Sequence, residues 1–81
     1  MTAKLDITNN IRTLRFFAGE MTQQELAERT GVSRQTIIAV EAGKYTPSLE
    51  LAFRIAEAFG VPITEVFAVE KQHAASTEKK P

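Results

Sequence analysis

The chain has 81 residues, a formal net charge of +0 and no cysteine, with 43% hydrophobic and 25% charged residues. That length suits one globular domain with a modest core and disfavours an enzyme with an elaborate pocket, while the lack of cysteine excludes disulfides and thiolate metal sites. No apolar run approaches the roughly 18–20 residues that cross a membrane, so we expect a cytoplasmic protein without a membrane partner.

Glycine and proline divide the sequence into five segments with helical apolar spacing, which predicts an all-α fold. The first predicted helix runs from about Thr8 to Ala18. The second runs from Gln23 to about Arg29, and Thr22 followed by Glu25 has the spacing of a capping box at its start. The residues that share the inner face of the first predicted helix are Ile7, Ile11, Leu14 and Ala18.

The second and third predicted helices meet across a short turn. Gly31 suits the left-handed backbone that a chain leaving a helix often adopts. Ser33 is a suitable N-cap for the third helix, which carries Ile37 and Val40 on its inner face. Two short helices joined in this way have the spacing of a helix-turn-helix unit. An αα-hairpin inside an ordinary helical bundle would produce much the same pattern, so that alternative stays open.

The fourth helix is predicted to begin around Thr46-Pro47-Ser48 and to end at Gly60. The fifth, from Ile63 to Val69, should contribute Val66 or Phe67 to the core or to a partner. The inner stripe of the fourth helix should consist of Leu49, Ala52, Ile55, Ala56 and Phe59.

Residues 70–81 have little apolar surface to bury, which predicts a flexible tail after a domain of residues 1–69. His73, the single histidine, lies in this tail without neighbouring ligand residues, so we expect no metal site. We also expect no cofactor and no small-molecule effector. The only candidate nucleophiles are hydroxyls on helix caps and surfaces, which argues against an enzyme.

The outer side of the third helix has chemistry suited to reading bases. Arg34 can bond two acceptors of guanine, Gln35 can pair with adenine, and an exposed aliphatic group such as that of Ile38 can pack on a thymine methyl. Packing of Ile38 against the fourth helix is the alternative. The candidate surface consists of Ser33, Arg34, Gln35, Thr36, Ile38 and Ala39.

Three stretches resemble the Cro/cI-type (Xre-family) helix-turn-helix domain of small bacterial and archaeal regulators. They are residues 22–27, TQQELA; 31–37, GVSRQTI; and 41–49, EAGKYTPSL. The resemblance spans about residues 9–67 and implies a five-helix, lambda-repressor-like DNA-binding domain. It implies that Gln23 grips phosphate and that Lys44 and Tyr45 approach the DNA backbone. The base-facing positions it implies are Ser33, Arg34, Gln35, Thr36 and Ala39.

The resemblance further implies an ion pair between Arg15 and Glu41 that orients the recognition helix, with two solvated surface charges as the alternative. The linker from Phe16 to Met21 departs from the family pattern, being one residue longer and more aromatic. Two adjacent phenylalanines cannot both face one core, so one of Phe16 and Phe17 is a candidate for a dimer contact or for covering the hydrophobic edge of the tail-side helix. Arg12 is a further candidate for a phosphate contact.

The leading hypothesis is therefore a sequence-specific DNA-binding transcriptional regulator, expected to be a repressor, whose partner is double-stranded DNA. One domain of this size presents a limited interface, so we expect a homodimer on two half-sites. A protein-interaction or antitoxin-like adaptor module of the same fold is the alternative, and the neutral net charge keeps it open. The candidate dimer-interface residues are Phe53, Phe59, Val66, Phe67 and Val69.

Overall fold

The computed structural model describes residues 6–70, which form five helices and one two-stranded antiparallel sheet. The longest helix has 11 residues, and no helix in this range is long and apolar enough to cross a membrane. The predicted tail beyond Glu70, including His73, lies outside the described residues. The elements in chain order are β1 (Ile7–Asn9), α1 (Ile11–Phe17), α2 (Gln23–Thr30), α3 (Arg34–Glu41), α4 (Leu49–Phe59), α5 (Ile63–Val66) and β2 (Phe67–Val69).

The predicted helix starts of α2, α3 and α4 are confirmed. The Thr22 hydroxyl accepts from the Glu25 backbone N–H at 3.0 Å, and the Glu25 carboxylate accepts from the Thr22 N–H at 2.8 Å, which completes the capping box. Ser33 and Ser48 cap α3 and α4 by accepting from the backbone N–H three residues later. These caps satisfy N–H groups that the first helical turn leaves without partners.

The core combines residues of all five helices, with α2 packed against both α3 and α4 and α5 packed against α4. Leu49, predicted to lie on the inner stripe of α4, is 70% exposed. The buried stripe is centred instead on Leu51 and Ile55. Leu49 and Leu51 are two positions apart in the helix, so their side chains point about 160° apart and only one of them can face the core. The buried core residues are Ile11, Met21, Leu26, Ala27, Ile37, Val40, Leu51, Ala52, Ile55, Ala56 and Val66.

The all-α prediction was wrong at both ends of the domain. The first helix begins at Ile11 rather than Thr8, and Ile7–Asn9 pairs with Phe67–Val69 in the register Ile7↔Val69. The fifth helix therefore ends at Val66, which is fully buried. Apolar spacing missed this pairing because the two strands are three residues long and lie about 60 residues apart.

Two of the four residues predicted to lie on the inner face of the first helix are exposed. Ile7 is 46% exposed on β1, and Ala18 is exposed where it caps the end of α1. Phe16 and Phe17 are also exposed, with ring centroids 5.3 Å apart in an edge-to-face arrangement. Neither phenylalanine ring therefore belongs to the core of the protomer.

Candidate nucleic-acid interface

The turn between α2 and α3 sets the angle of the two helices. Gly31 adopts φ +77°, a left-handed conformation that is strained for other residues. The backbone N–H groups of Gly31 and Val32 both donate to the Ala27 carbonyl, at 2.9 and 3.1 Å. Ala27 and Ile37 are buried on either side of this turn. The corner is thus held by main-chain bonds and by packing of small against large side chains.

The outer side of α3 is the side that faces away from its buried residues. Ile37 and Val40 are almost fully buried, so the opposite side of the helix faces away from the protein. Gln35 is exposed there, Arg34 is exposed on the flank of the helix as its first residue, and Ala39 is half-buried. The structure therefore brings a guanidinium, a carboxamide and a methyl group onto one accessible ridge, which is the set of groups that reads base edges.

Two hydroxyls at the start of α3 are already engaged within the protein. The Ser33 hydroxyl lies 3.1 Å from the Thr36 hydroxyl and accepts from the Thr36 backbone N–H. A hydroxyl has one donor and can accept twice, so each retains capacity for a further bond. Ser33 and Thr36 therefore first hold the helix start in shape, and any base contact is made from that fixed position.

Gln23, the first residue of α2, lies beside α1 and α3. An open groove of about 650 Å³ is lined by Arg12, Gln23 and Arg34, among others. A smaller groove of about 350 Å³ is lined by Arg12, Gln23 and Ile38. Ile38 is half-buried and lines this smaller groove, so part of its side chain is accessible.

The loop after α3 folds back onto the same helix. Gly43 adopts φ +78°, and the Lys44 backbone N–H donates to the Ala39 carbonyl at 2.9 Å. This leaves the Lys44 side chain and Tyr45 exposed, the latter at 50%. A cation and a phenol hydroxyl are therefore available just beyond the end of α3.

Arg15 and Glu41 form a two-bond ion pair. Arg15 Nε donates to Glu41 Oε1 at 3.1 Å and Nη2 donates to Oε2 at 2.8 Å, while Nη1 donates to the Met21 carbonyl at 2.9 Å. The two side chains are only 17% and 13% exposed. The arginine thereby joins α1, the α1–α2 loop and the last residue of α3. The planar guanidinium can do this because its N–H donors point in several fixed directions.

Residues 11–66 match the helix-turn-helix family model, which covers more than half of the chain. The chain belongs to the Cro/cI-type (Xre) helix-turn-helix family. This confirms the resemblance found in the sequence, and α3 is the recognition helix of the family pattern. Within the described residues, no three His, Asp or Glu side chains are grouped to hold a metal ion.

The chain is similar to regulators from archaea and bacteria. An uncharacterised HTH-type transcriptional regulator of Methanocaldococcus jannaschii is 62% identical over 50 residues, covering 62% of this chain and 76% of that protein. The uncharacterised HTH-type transcriptional regulator YgzD of Bacillus subtilis is 42% identical over 65 residues, covering 80% of this chain and 97% of that protein. The transcriptional repressor RstR of the cryptic phage CTXphi, from Vibrio cholerae, is 37% identical over 59 residues, covering 73% of this chain and 52% of that protein.

Sequence reasoning missed one residue beside the recognition helix. The Asn9 side chain donates to the carbonyls of Val40 and Glu41, at 3.2 and 3.3 Å. An asparagine just before a helix is typical of an N-cap, so the sequence carries no signal for a bond to a helix 31 residues away. Only the folded chain brings this amide to the end of α3.

Proposed function

We propose that this helix-turn-helix protein is a sequence-specific DNA-binding transcriptional regulator that inserts α3 into the major groove. The observation that carries the proposal is the exposure of Arg34 and Gln35 in the first turn of a recognition helix whose inner side is buried. Repression is the outcome we favour, since RstR is named a transcriptional repressor. Action on DNA in archaeal or bacterial cells implies the cytoplasm.

The proposed base contacts follow from side-chain chemistry. Arg34 would bond the O6 and N7 acceptors of a guanine, and Gln35 would pair with the N6 and N7 edge of an adenine. Ala39 and the exposed part of Ile38 would pack on thymine methyl groups. Ser33 and Thr36 would bond base edges or the adjoining backbone with the capacity that their mutual bond leaves.

The proposed phosphate contacts surround this ridge. Gln23 stands at the N-terminus of α2, where unpaired N–H groups and the helix dipole favour an anion. Arg12 lines the groove next to it, while Lys44 and Tyr45 lie beyond the other end of α3. Because the net charge is +0, this local cluster rather than a general positive field has to supply the attraction.

We also propose that the protein binds as a homodimer on half-sites about 34–36 Å apart, because one copy offers a small interface. Of the candidate interface residues, Phe53 and Val69 are 53% and 44% exposed and suit the contact. Phe59 and Phe67 are partly buried against the core, and the fully buried Val66 is excluded as a contact. Sedimentation that shows only monomer, with and without bound duplex, would remove this proposal.

Selection of duplexes from a random library tests the function. The wild type should enrich one motif, and Arg34→Ala or Gln35→Ala should each weaken binding to it by about 1–3 kcal/mol and relax one base pair. Arg54→Ala is the matched control, because it removes the same charge from the exposed face of α4. Loss of motif enrichment with Arg54→Ala as large as with Arg34→Ala, or no motif with wild type, would favour an interaction module instead.

Salt dependence separates the phosphate contacts from the base contacts. Each neutralised phosphate contributes about −0.9 to the slope of log K against log salt, so Arg12 and Lys44 together should contribute about −2 per protomer. Lys44→Ala should reduce the slope by about one unit while leaving the enriched motif unchanged. An unchanged slope would show that Lys44 does not contact the DNA backbone.

A further inference from the structure

The end of the recognition helix is held by a side chain from the start of the domain. Asn9 Nδ2 donates to the carbonyls of both Val40 and Glu41, the last two residues of α3. Asn9 Oδ1 accepts from the Ile11 backbone N–H at 3.0 Å. The partners fix the orientation of the amide, because carbonyls require a donor and an N–H requires an acceptor. Every polar atom of this half-buried side chain is therefore used.

These bonds fall where a helix has the most unsatisfied acceptors. The last four carbonyls of any helix lack intrahelical partners, and α3 has only 8 residues. The Val40 carbonyl also accepts from the Gly43 N–H at 3.0 Å. The Glu41 carbonyl does not take part in that turn bond. Asn9 thus provides the hydrogen-bond donors for the last carbonyls of α3 that a C-terminal cap would otherwise provide.

Asn9 is itself held by the sheet. It lies opposite Phe67 in the β1–β2 register, and Phe67 packs against the core. The next residue, Asn10, donates its backbone N–H to the Val66 carbonyl at 2.9 Å. Pairing of the two distant strands therefore determines where the Asn9 amide stands, and through it where the last turn of α3 stands.

The recognition helix is consequently fixed at two ends by different parts of the chain. Its start is set by the α2–α3 turn and the Ser33 cap, and its last turn is held through main-chain carbonyls by Asn9 and through the Glu41 side chain by Arg15. Base-edge bonds are directional and fail when a side chain is misplaced by about 1 Å, whereas attraction to phosphate tolerates such a shift.

We infer that Asn9 is a positioning residue for base readout: by tying the last turn of α3 to the β1–β2 sheet, it keeps the outer side of the recognition helix at the angle that distinguishes one DNA sequence from another. This inference rests on the proposed function. It assigns the small sheet a role in specificity without contact to DNA, and it separates discrimination between sequences from general affinity for DNA.

The variant Asn9→Asp isolates the proposed role. A carboxylate keeps the acceptor for the Ile11 N–H and the size of the side chain, but it cannot donate to Val40 and Glu41. Asn10→Asp is the matched control, with the same change in charge one residue further on. Asn10 Nδ2 donates to the Glu65 carbonyl at 3.1 Å, so the control also loses one side-chain bond, but to α5 rather than to α3.

The ratio of affinities for the selected duplex and for single-mismatch duplexes is the first measurement. Asn9→Asp should lower this ratio by roughly tenfold, and Asn10→Asp should change it less than twofold. A loss of folded protein would instead weaken binding to matched and mismatched duplexes equally and leave the ratio unchanged. An unchanged ratio in folded Asn9→Asp, or an equal fall in both variants, would overturn the inference.

Amide exchange in the free protein is the second measurement and needs no DNA. The N–H groups of Gly43 and Lys44, which bond back into α3, should exchange roughly tenfold faster in Asn9→Asp than in Asn10→Asp. In the wild type, the Asn9 side-chain amide protons should exchange more slowly than those of the exposed Asn10, and equal rates would overturn the inference even if Asn9→Asp failed to fold. If the wild type selects no motif while these exchange differences hold, the proposed function fails and the positioning of α3 stands.

Discussion

The α2–α3 corner and the β1–β2 sheet both determine the position of the recognition helix, but they do so with contacts of different range. In the corner, the Val32 N–H donates to the Ala27 carbonyl and the Thr36 N–H donates to the Ser33 hydroxyl, so each bond joins residues close in the chain. The sheet joins strands about 60 residues apart. A corner made of short-range bonds can form early and is legible in the sequence, while the sheet exists only after the core has assembled.

The two regions also differ in burial. The corner surrounds fully buried residues such as Leu26 and Ile37, whereas Ile7 and Val69 on the sheet remain about half exposed. We therefore expect substitutions at the corner to change stability strongly. Substitutions in the sheet should change stability little and affect mainly the end of α3.

The largest effect is expected at the centre of the corner. Leu26→Ala should lower the free energy of unfolding by about 2–5 kcal/mol, because it leaves a cavity at a fully buried site. Leu49→Ala makes the same change at a residue that is 70% exposed and should cost about 0.5 kcal/mol or less. Urea unfolding measures both, and equal losses would contradict the described packing of α2 and α4.

The next effect concerns the ion pair that joins α1 to the end of α3. Arg15→Ala should cost about 3 kcal/mol, because it leaves the Glu41 carboxylate largely buried without its cation. Arg54→Ala is the control, since its pair with Glu50 is 53% and 74% exposed and should contribute about 0.5 kcal/mol or less. If both variants unfold at the same urea concentration, Arg15 and Glu41 behave as two solvated charges.

A smaller effect is expected at the start of α2. Thr22→Ala removes the hydroxyl that accepts from the Glu25 N–H and should lower stability by about 1 kcal/mol. Thr22→Ser retains the hydroxyl and should remain close to wild type. Thermal unfolding of the three proteins tests the capping box, and a loss in the serine variant equal to that in the alanine variant would show that packing rather than capping matters here.

The smallest effect is expected on the sheet. Ile7→Ala weakens one cross-strand pair with Val69 and should cost about 0.5 kcal/mol. If Ile7→Ala lowered the free energy of unfolding as much as Leu26→Ala, the sheet would be part of the core. The contrast drawn between the corner and the sheet would then be wrong. Thermal unfolding at a single protein concentration measures the difference, with wild type and Leu26→Ala beside it.

Much of the fold and part of the site were predictable from the sequence. The capping box at Thr22, the glycine turn at Gly31 and the burial of Ile37 and Val40 depend on neighbours within four residues, so their patterns are visible in the sequence. The exposed position of Gln35 follows from the same helical spacing, whereas Arg34, three residues before Ile37, is exposed because it is the first residue of α3. The contacts of these residues with DNA stay predictions until binding is measured.

Other features were wrong or missed for physical reasons. Apolar spacing placed Ile7 on a helix because it does not distinguish three extended residues from the first turn of a helix. Leu49 was assigned to the core because it stands in step with Ala52 and Ala56, but the packed face of α4 is rotated toward Leu51. For Ile38 the sequence allowed partial exposure or packing against the fourth helix, and the structure shows it half-buried at the edge of a groove.

The amino-acid sequence alone determined the helix starts, the glycine turn and the side chains on the outer side of the recognition helix, because each depends on bonds or spacings within one or two helical turns. Only the tertiary structure decided that the ends of the domain pair as strands and that Asn9 and Arg15 hold the last turn of α3. Those contacts join residues far apart in the chain, and they form only when the core has brought β1, α1 and α3 together.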